Sequence, residues 1–488
     1  MFDILVLLVT IFTLIVWFIN RPKNLPPGPW GLPLVGVLPS LMSDPGVWSM
    51  EMAKKYGDVI SVRLGSKLAV ILHGYDAVKE AFVENRSLFS ARPDNVHSKV
   101  HGGEVIVVRQ PDYKWKMRRT LIKTGFRHFG MGNENSVIES QIHEEIGYLY
   151  GLLDTTKGQI IDDFLRDVIS KVTHNMISAL FLGERVDYEN AYHTKVHENG
   201  VQIIKAFRSA GLIEIFPFLW RFPLAMKREL ISQLEVFQVT IGKHIEAHRR
   251  TLDPSSPRDM LDIFLAKAAF LKENKPSQNY IDEPHLPKEF GEIVMSSIET
   301  TGSSLTWVFL YMAQYPDVQR RVQKEIDTVH AETSFIKYSD RNRYPYTQAC
   351  IHEVLRHVTV VPVGLPHVTT KHVQFRGFDI PANTMVFANM YSMHQDERYW
   401  TKPDEFNPER WLQEDGQFGK ADLLSHYSYG PRVCVGKELA QMELFLVFSN
   451  VMKMFSFKPP EGDVGVDLTQ SIGIIAAPKT SKLRVVRR

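Results

Sequence analysis

Two cysteines in 488 residues are too few for a disulfide scaffold and fit a reducing compartment. Charge of one sign is lacking too: 57 basic against 55 acidic residues leave a net charge of +2, which gives no footing for nucleic acid. No GxGxxG stretch occurs, so the chain has no convincing flavin or nicotinamide site of its own. There is no internal repeat. Long apolar runs are scarce, with one exception. Residues 4–19 (ILVLLVTIFTLIVWFI) are apolar but for two threonines, and Arg21 and Lys23 follow. This run falls a little short of the ~20 residues of a spanning helix, a gap that flanking side chains close by snorkelling. No small-residue cleavage pattern precedes Arg21, and the basic residues follow the apolar run rather than precede it. Residues 1–20 therefore read as an uncleaved transmembrane signal anchor with its C-terminal side in the cytoplasm. The prolines between Leu25 and Pro33 exclude helix, so residues 21–33 read as a stiff hinge holding a globular body off the membrane.

The remaining residues, 34–488, belong to a chain that is 44% hydrophobic, with ample material for a core. Length alone would suggest about three domains. That reading is set aside because residues from Arg92 to Cys434 serve one site, as argued below. Strands are few: Val59–Leu64 and Ala69–Leu72, split by Gly65-Ser66-Lys67, read as a hairpin. Most other segments repeat near 3.6 residues, so the body is mainly α with a small β-sheet subdomain.

What the sequence does hold is a dense stretch, Tyr427-Ser428-Tyr429-Gly430-Pro431-Arg432-Val433-Cys434-Val435-Gly436, ahead of a helical pattern from Lys437. A cysteine at a helix mouth faces unpaired N–H groups and the positive dipole end, which favour thiolate. Gly430 and Gly436 leave room for a flat ligand against the backbone. Arg432 can meet a carboxylate on that ligand's rim. Cys350, in a helical stretch far away in sequence, reads as a core thiol.

The pattern aromatic-x-x-Gly-x-Arg-x-Cys-x-Gly resembles the haem-binding signature of the cytochrome P-450 family. Tyr427 stands where that family usually has phenylalanine, adding a hydroxyl. The likeness runs over nearly the whole chain and is to the microsomal animal type, similar to the clan of family 2 and the steroid 17-alpha-hydroxylases. It implies the cytochrome P-450 fold and haem b (iron protoporphyrin IX), with Cys434 as axial ligand and Arg432 and Gly436 beside it. Trp115 and Arg119, an i, i+4 pair on one helix face, match the family's Trp-x-x-x-Arg, whose side chains hydrogen-bond the haem propionates. Arg92 in Phe89-Ser90-Ala91-Arg92-Pro93 and His367 match two further propionate-binding positions. Lys114, Lys116, Arg118 and Lys437 are expected to ring the cysteine side and dock an acidic electron donor.

Phe290 to Tyr315 reads as a long buried helix ended by Pro316. Glu292, Ser296, Glu299, Thr300 and Ser303 form a polar stripe along it, costly to bury without water or a ligand. Ser296-Ser297-Ile298-Glu299-Thr300-Thr301 is similar to the family's oxygen-activation motif, which gives Thr300 and Glu299 a role in proton delivery. Ser297 departs from it, adding a methylene and a hydroxyl where glycine leaves a groove. The Glu353-x-x-Arg356 pair, common on helix surfaces, followed by Phe406-Asn407-Pro408-Glu409-Arg410-Trp411, resembles a buried family network in which Glu353, Arg356 and Arg410 are structural.

Val107, Val361, Val363 and Ile472, with Glu292 and Ser296, match segments that line the family's substrate pocket, and an aliphatic lining favours a lipophilic substrate. Glu292 is expected to bind a substrate substituent or, preferably, a backbone amide in the facing loop. The resemblance implies a monooxygenase placing one atom of O2 in an organic substrate, in the endoplasmic reticulum membrane with its catalytic domain cytoplasmic. Electrons would come from NADPH–cytochrome P-450 reductase, with a cytochrome b-type donor as an alternative. Two other classes stay open: a haem-thiolate isomerase or dehydratase needing no reductase, and a haem-binding protein without turnover.

Overall fold

The computed structural model describes residues 23–41, 44–133, 136–160, 163–189, 202–203, 213, 216–330, 334–419, 422–471 and 473–488. The apolar run at 4–19 lies outside them, so the anchor reading has no counterpart here. Among the described residues no helix is long and apolar enough to cross a membrane.

In chain order the elements that position the site are α1 (Pro45–Tyr56), β1 (Val59–Leu64), β2 (Lys67–Leu72), α2 (Val96–Val100), α3 (Tyr113–His128), α4 (Val137–Asp154) and α5 (Phe164–Leu182). Then come α6 (Ala225–Thr251), α7 (Met260–Asn274), α8 (Leu286–Gln314), α9 (Pro316–Val329) and α10 (Pro345–Val358). The last group is β3 (His367–Val368), β4 (Val373–Phe375), β5 (Phe378–Ile380), β6 (Met385–Ala388), α11 (Lys437–Met454), β7 (Phe455–Lys458) and β8 (Arg484–Arg487). The hairpin is as expected, except that β2 already begins at Lys67. It extends into a four-stranded sheet in the order β1-β2-β6-β3, with β2 and β6 parallel. The pairs β4-β5 and β7-β8 complete the strands.

Helix α8 is the axis of the main core. Pro287 sits in its first turn, where a missing N–H costs nothing, and Pro316 begins α9 after it ends. It packs most extensively on α5. Gly302 lets the two helices approach, since a Cβ there would lie 3.2 Å from the Thr173 hydroxyl. Ile298, Leu305, Val308 and Phe309 of α8 share one buried cluster with Val172 and Met176 of α5 and Phe448 of α11. Cys350 is fully buried on α10, where burial pushes its thiol well above the usual range, as a core thiol requires.

The proline-rich stretch is non-helical as expected, but it does not stand off the body. Ser61 of β1 donates its hydroxyl to the Pro26 carbonyl (2.6 Å) and its N–H to that of Pro27 (3.1 Å). Leu25 is buried, and Asn24 donates to Asp379 of β5. Prolines lack donors but keep acceptors, and an exposed strand edge supplies the donors they need.

Candidate functional site

Cys434 lies in the loop that enters α11, two residues before its N-cap Gly436. The loop is folded on itself by the Cys434 N–H donating to the Tyr427 carbonyl (2.9 Å). Gly430 has a different purpose from the one expected of it. Its φ is +69°, and a Cβ would meet the Phe82 carbonyl oxygen at 1.9 Å, so it admits the neighbouring chain rather than a ligand. Cys434 is accessible along one side yet walled by protein on the others. Burial pushes its thiol above the ordinary range, opposed by the Gly436 N–H, Arg119 and Lys437. The helix mouth thus supplies the expected stabilising groups, but desolvation outweighs them.

Around the cysteine, α3 brings Trp115 and Arg119 to one face. The helix starts on Asp112, whose carboxylate accepts from the Trp115 N–H (2.7 Å). The Arg119 guanidinium lies 5.2 Å over the Trp115 ring and donates to the Val433 carbonyl. Arg432 lies 4.4 Å over the same ring. Its donors go to the carbonyls of Ser90 (2.8 Å) and Arg109 (2.6 Å), with a longer contact to Ile106. Arg92 donates to the carbonyls of Val107, Leu365 and Pro366. His367 of β3 stacks on Phe82 at 4.0 Å with Nδ1 on the Phe89 carbonyl (2.6 Å), and burial holds it neutral.

Three guanidiniums thus share one site, and none of them is ion-paired to an acid among the described residues. Burial, then the neighbouring cations Arg92 and Arg119, push Arg432 below the usual arginine range, and Asp112 opposes only weakly. Arg92 is shifted the same way by burial and Arg119. The indole N–H of Trp115 is buried with no partner among the described residues. Surplus positive charge, an unmatched buried donor and an accessible sulfur fit one ligand: a group with two carboxylates and a thiolate-binding metal. Haem has that chemistry.

A family model described as Cytochrome P-450 matches residues 26–485. Cytochrome P-450 2B4 of Oryctolagus cuniculus is 34% identical over 485 residues, 97% of this chain and 97% of the relative. Cytochrome P-450 2J2 of Homo sapiens is 30% identical, covering 96% and 92%, and cytochrome P-450 2F5 of Gorilla gorilla gorilla is 34% identical, covering 95% and 94%. The chain belongs to the cytochrome P-450 family. As a member it is a haem-thiolate monooxygenase.

In this cytochrome P-450 the scaffold expected around Glu353 is complete. Arg356 forks onto Glu353 with two 2.9 Å bonds, Arg410 Nε joins at 2.9 Å, and Trp411 Nε1 at 3.0 Å. On α8, Thr300 donates to the Ser296 carbonyl (2.8 Å), while Ser296 and Ser297 both donate to that of Ile293. The Ser297 hydroxyl is therefore satisfied within its own helix. Glu299 instead lines a narrow cleft with Arg166, Ser170 and Ser303. Val107, Val361 and Val363 are half-buried, and Ile472 lies outside the described residues.

Two expectations are corrected. Arg118 is not part of an exposed basic face: it is buried and donates to the carbonyls of Tyr280 (2.8 Å) and Glu104 (2.6 Å), with Glu289 at 3.4 Å. Among the described residues Glu292 meets no backbone amide; it lies 3.1 Å from His97 and 3.3 Å from His101. The amide of the facing loop, that of Ile106, goes instead to Glu289 (3.1 Å), one turn earlier.

Sequence reading also passes over Glu443 of α11, fully enclosed against α8. Burial pushes its carboxyl up to about 8, against a hydrogen bond from Thr301. From the ordinary carboxyl range up to that value, the folded chain holds a proton that the unfolded chain has lost. Stability from this group therefore falls as pH rises, by at most about 1.4 kcal/mol per pH unit. Glu443→Gln is expected to remove the slope and melt later than the parent at pH 8. Thermal midpoints at pH 5.5 and pH 8 that shift in parallel for both proteins would rule this out.

Proposed function

We propose that the chain oxidises a lipophilic small molecule at the membrane of the endoplasmic reticulum, using electrons passed from NADPH by NADPH–cytochrome P-450 reductase. The observation that carries the site assignment is the cluster of Arg92, Arg119 and Arg432 with the unmatched Trp115 N–H beside Cys434. In this reading Arg92, Trp115, Arg119, Arg432 and His367 hold the haem's rim, Gly436 its sulfur-side approach and Cys434 its iron. When bound, the haem would supply the O2 chemistry, with Cys434 as its thiolate donor. Residues 1–20 serve as the anchor and 34–488 as one catalytic domain. Val107, Val361, Val363 and Ser296 line the substrate space.

Thr300 holds a proton at its hydroxyl above the site, and Glu299 exchanges protons from the cleft beside it. Ser297 has its hydroxyl tied to the Ile293 carbonyl within α8. With reductase and NADPH, Thr300→Ala is expected to yield several-fold less product per NADPH and correspondingly more peroxide. Unchanged coupling would exclude that role. Product formed by the parent chain without NADPH would exclude the monooxygenase assignment itself.

The donor surface is narrower than the sequence suggests. Lys116 and Lys437 are exposed and Lys114 is half-buried, whereas Arg118 points inward. Reversing Lys114 and Lys116 to glutamate is expected to slow reduction about tenfold at low salt and flatten its salt dependence. Stopped-flow reduction rates that keep both value and salt slope would remove these lysines from the interface.

A further inference from the structure

We propose that His97, His101 and Glu292 form a binding site for a divalent transition-metal cation, with zinc as its natural probe, separate from the haem. The two histidines are i, i+4 at α2, which is started by the Asn95 side chain accepting from the Ser98 N–H (2.8 Å). That spacing puts both imidazoles on one side, with ring centroids 5.0 Å apart. Glu292 comes from the second turn of α8, nearly two hundred residues later, and closes the third side. The three residues offer ligand atoms all within 4.8 Å of one another.

The spacing suits ligands of one ion as well as ion-paired side chains. Oε1 of Glu292 lies 3.1 Å from Nε2 of His97, and Oε2 lies 3.3 Å from Nε2 of His101. Ligand atoms at about 2.0–2.1 Å from a tetrahedral zinc are about 3.3 Å apart. Neither ring nitrogen of His101, nor Oε2 of Glu292, has a hydrogen-bond partner among the described residues. His101 is 2% exposed and Glu292 5%, so solvent does not satisfy them. A buried carboxylate between two imidazoles needs positive charge, and a cation held by all three supplies it at one point.

Glu289, the nearest other acid described on α8, has partners of its own, the Ile106 N–H and Arg118. Two imidazoles and one carboxylate suit zinc and related divalent ions, and three protein ligands leave a fourth position for water or a donor atom of a small molecule. His97, a quarter exposed, marks the side from which the ion enters. The site stands about 12 Å along α8 from Thr300, at 1.5 Å per residue, and depends on neither the haem nor the reductase.

The test is equilibrium dialysis of the chelator-treated holoprotein against Zn2+, with zinc and haem both quantified. One zinc per haem is expected. His101→Ala and Glu292→Gln should weaken binding by more than about 100-fold, beyond the about 10–100-fold that outer-shell partners contribute. His372→Ala, at an exposed histidine, should not. Zinc should also protect His97 of the parent protein from carbethoxylation, read by mass spectrometry, a measurement that needs no variant. Absence of a stoichiometric site, equal affinity in His101→Ala and the parent, or unprotected His97 would each overturn the proposal. Haem content and the sulfur-ligated carbonyl spectrum are read alongside, so failure of the haem assignment is scored separately.

Discussion

Glu353→Ala is expected to yield a chain that fails to retain haem and unfolds well below the parent. The carboxylate is fully buried and accepts from Arg356 twice, from Arg410, from the Asn407 N–H (2.9 Å) and from the Trp411 indole. Removing it strands the Arg356 guanidinium, itself fully buried, leaving it the carbonyls of His394 and Glu405 and the Trp400 ring. Breaking a buried pair from one side costs about 3–5 kcal/mol, a large part of a typical domain's stability. The loss also frees the 407–411 segment from α10, on which the chain leading to Cys434 rests. Haem retention on gel filtration and the thermal midpoint check this. A variant keeping haem within a few degrees of the parent midpoint would show that the network is dispensable.

Cys434→Ser tests the other half of the site. The side chain makes little packing contact on its accessible side, and the backbone bond to Tyr427 survives, so the fold is expected to stand. A hydroxyl is far less acidic than a thiol and a poor donor to soft metal ions. The reduced carbonyl spectrum is therefore expected to lose its sulfur-ligated band, and reductase-dependent turnover to disappear. A retained sulfur-ligated band would direct attention to the only other cysteine, Cys350, which the core encloses on α10.

What was legible in the sequence was legible because it is local or carried by spacing. The hairpin, the end of α8 ahead of Pro316 and the Trp115–Arg119 face follow from period and backbone chemistry, whereas α8 starts at Leu286, four residues before the expected Phe290. The Glu353 hub needed the family likeness, since an i, i+3 acid–base pair is common on helix surfaces. What was missed depends on contacts between distant segments. A helical wheel puts Trp115, Arg118 and Ile122 together but does not say that their side faces inward, where Tyr280, Glu104 and Glu289 meet the arginine. Glu292 was assigned the amide that Glu289 takes, an error of one helical turn. Nothing near Glu292 in sequence announces His97 and His101. The signal was there in the His-x-x-x-His pair, read as neither ligand nor partner.

The docking of residues 24–28 has a mechanical consequence. Asn24 is tied to the β4-β5 pair and Pro26 to β1. With the proposed anchor ending at residue 20, only residues 21–23 are left as leash, about 10 Å at full extension. If residues 1–20 anchor the chain as proposed, so short a leash would leave the body little freedom to swivel. Lengthening it by a few glycines would relax that restraint without touching any residue of the catalytic site.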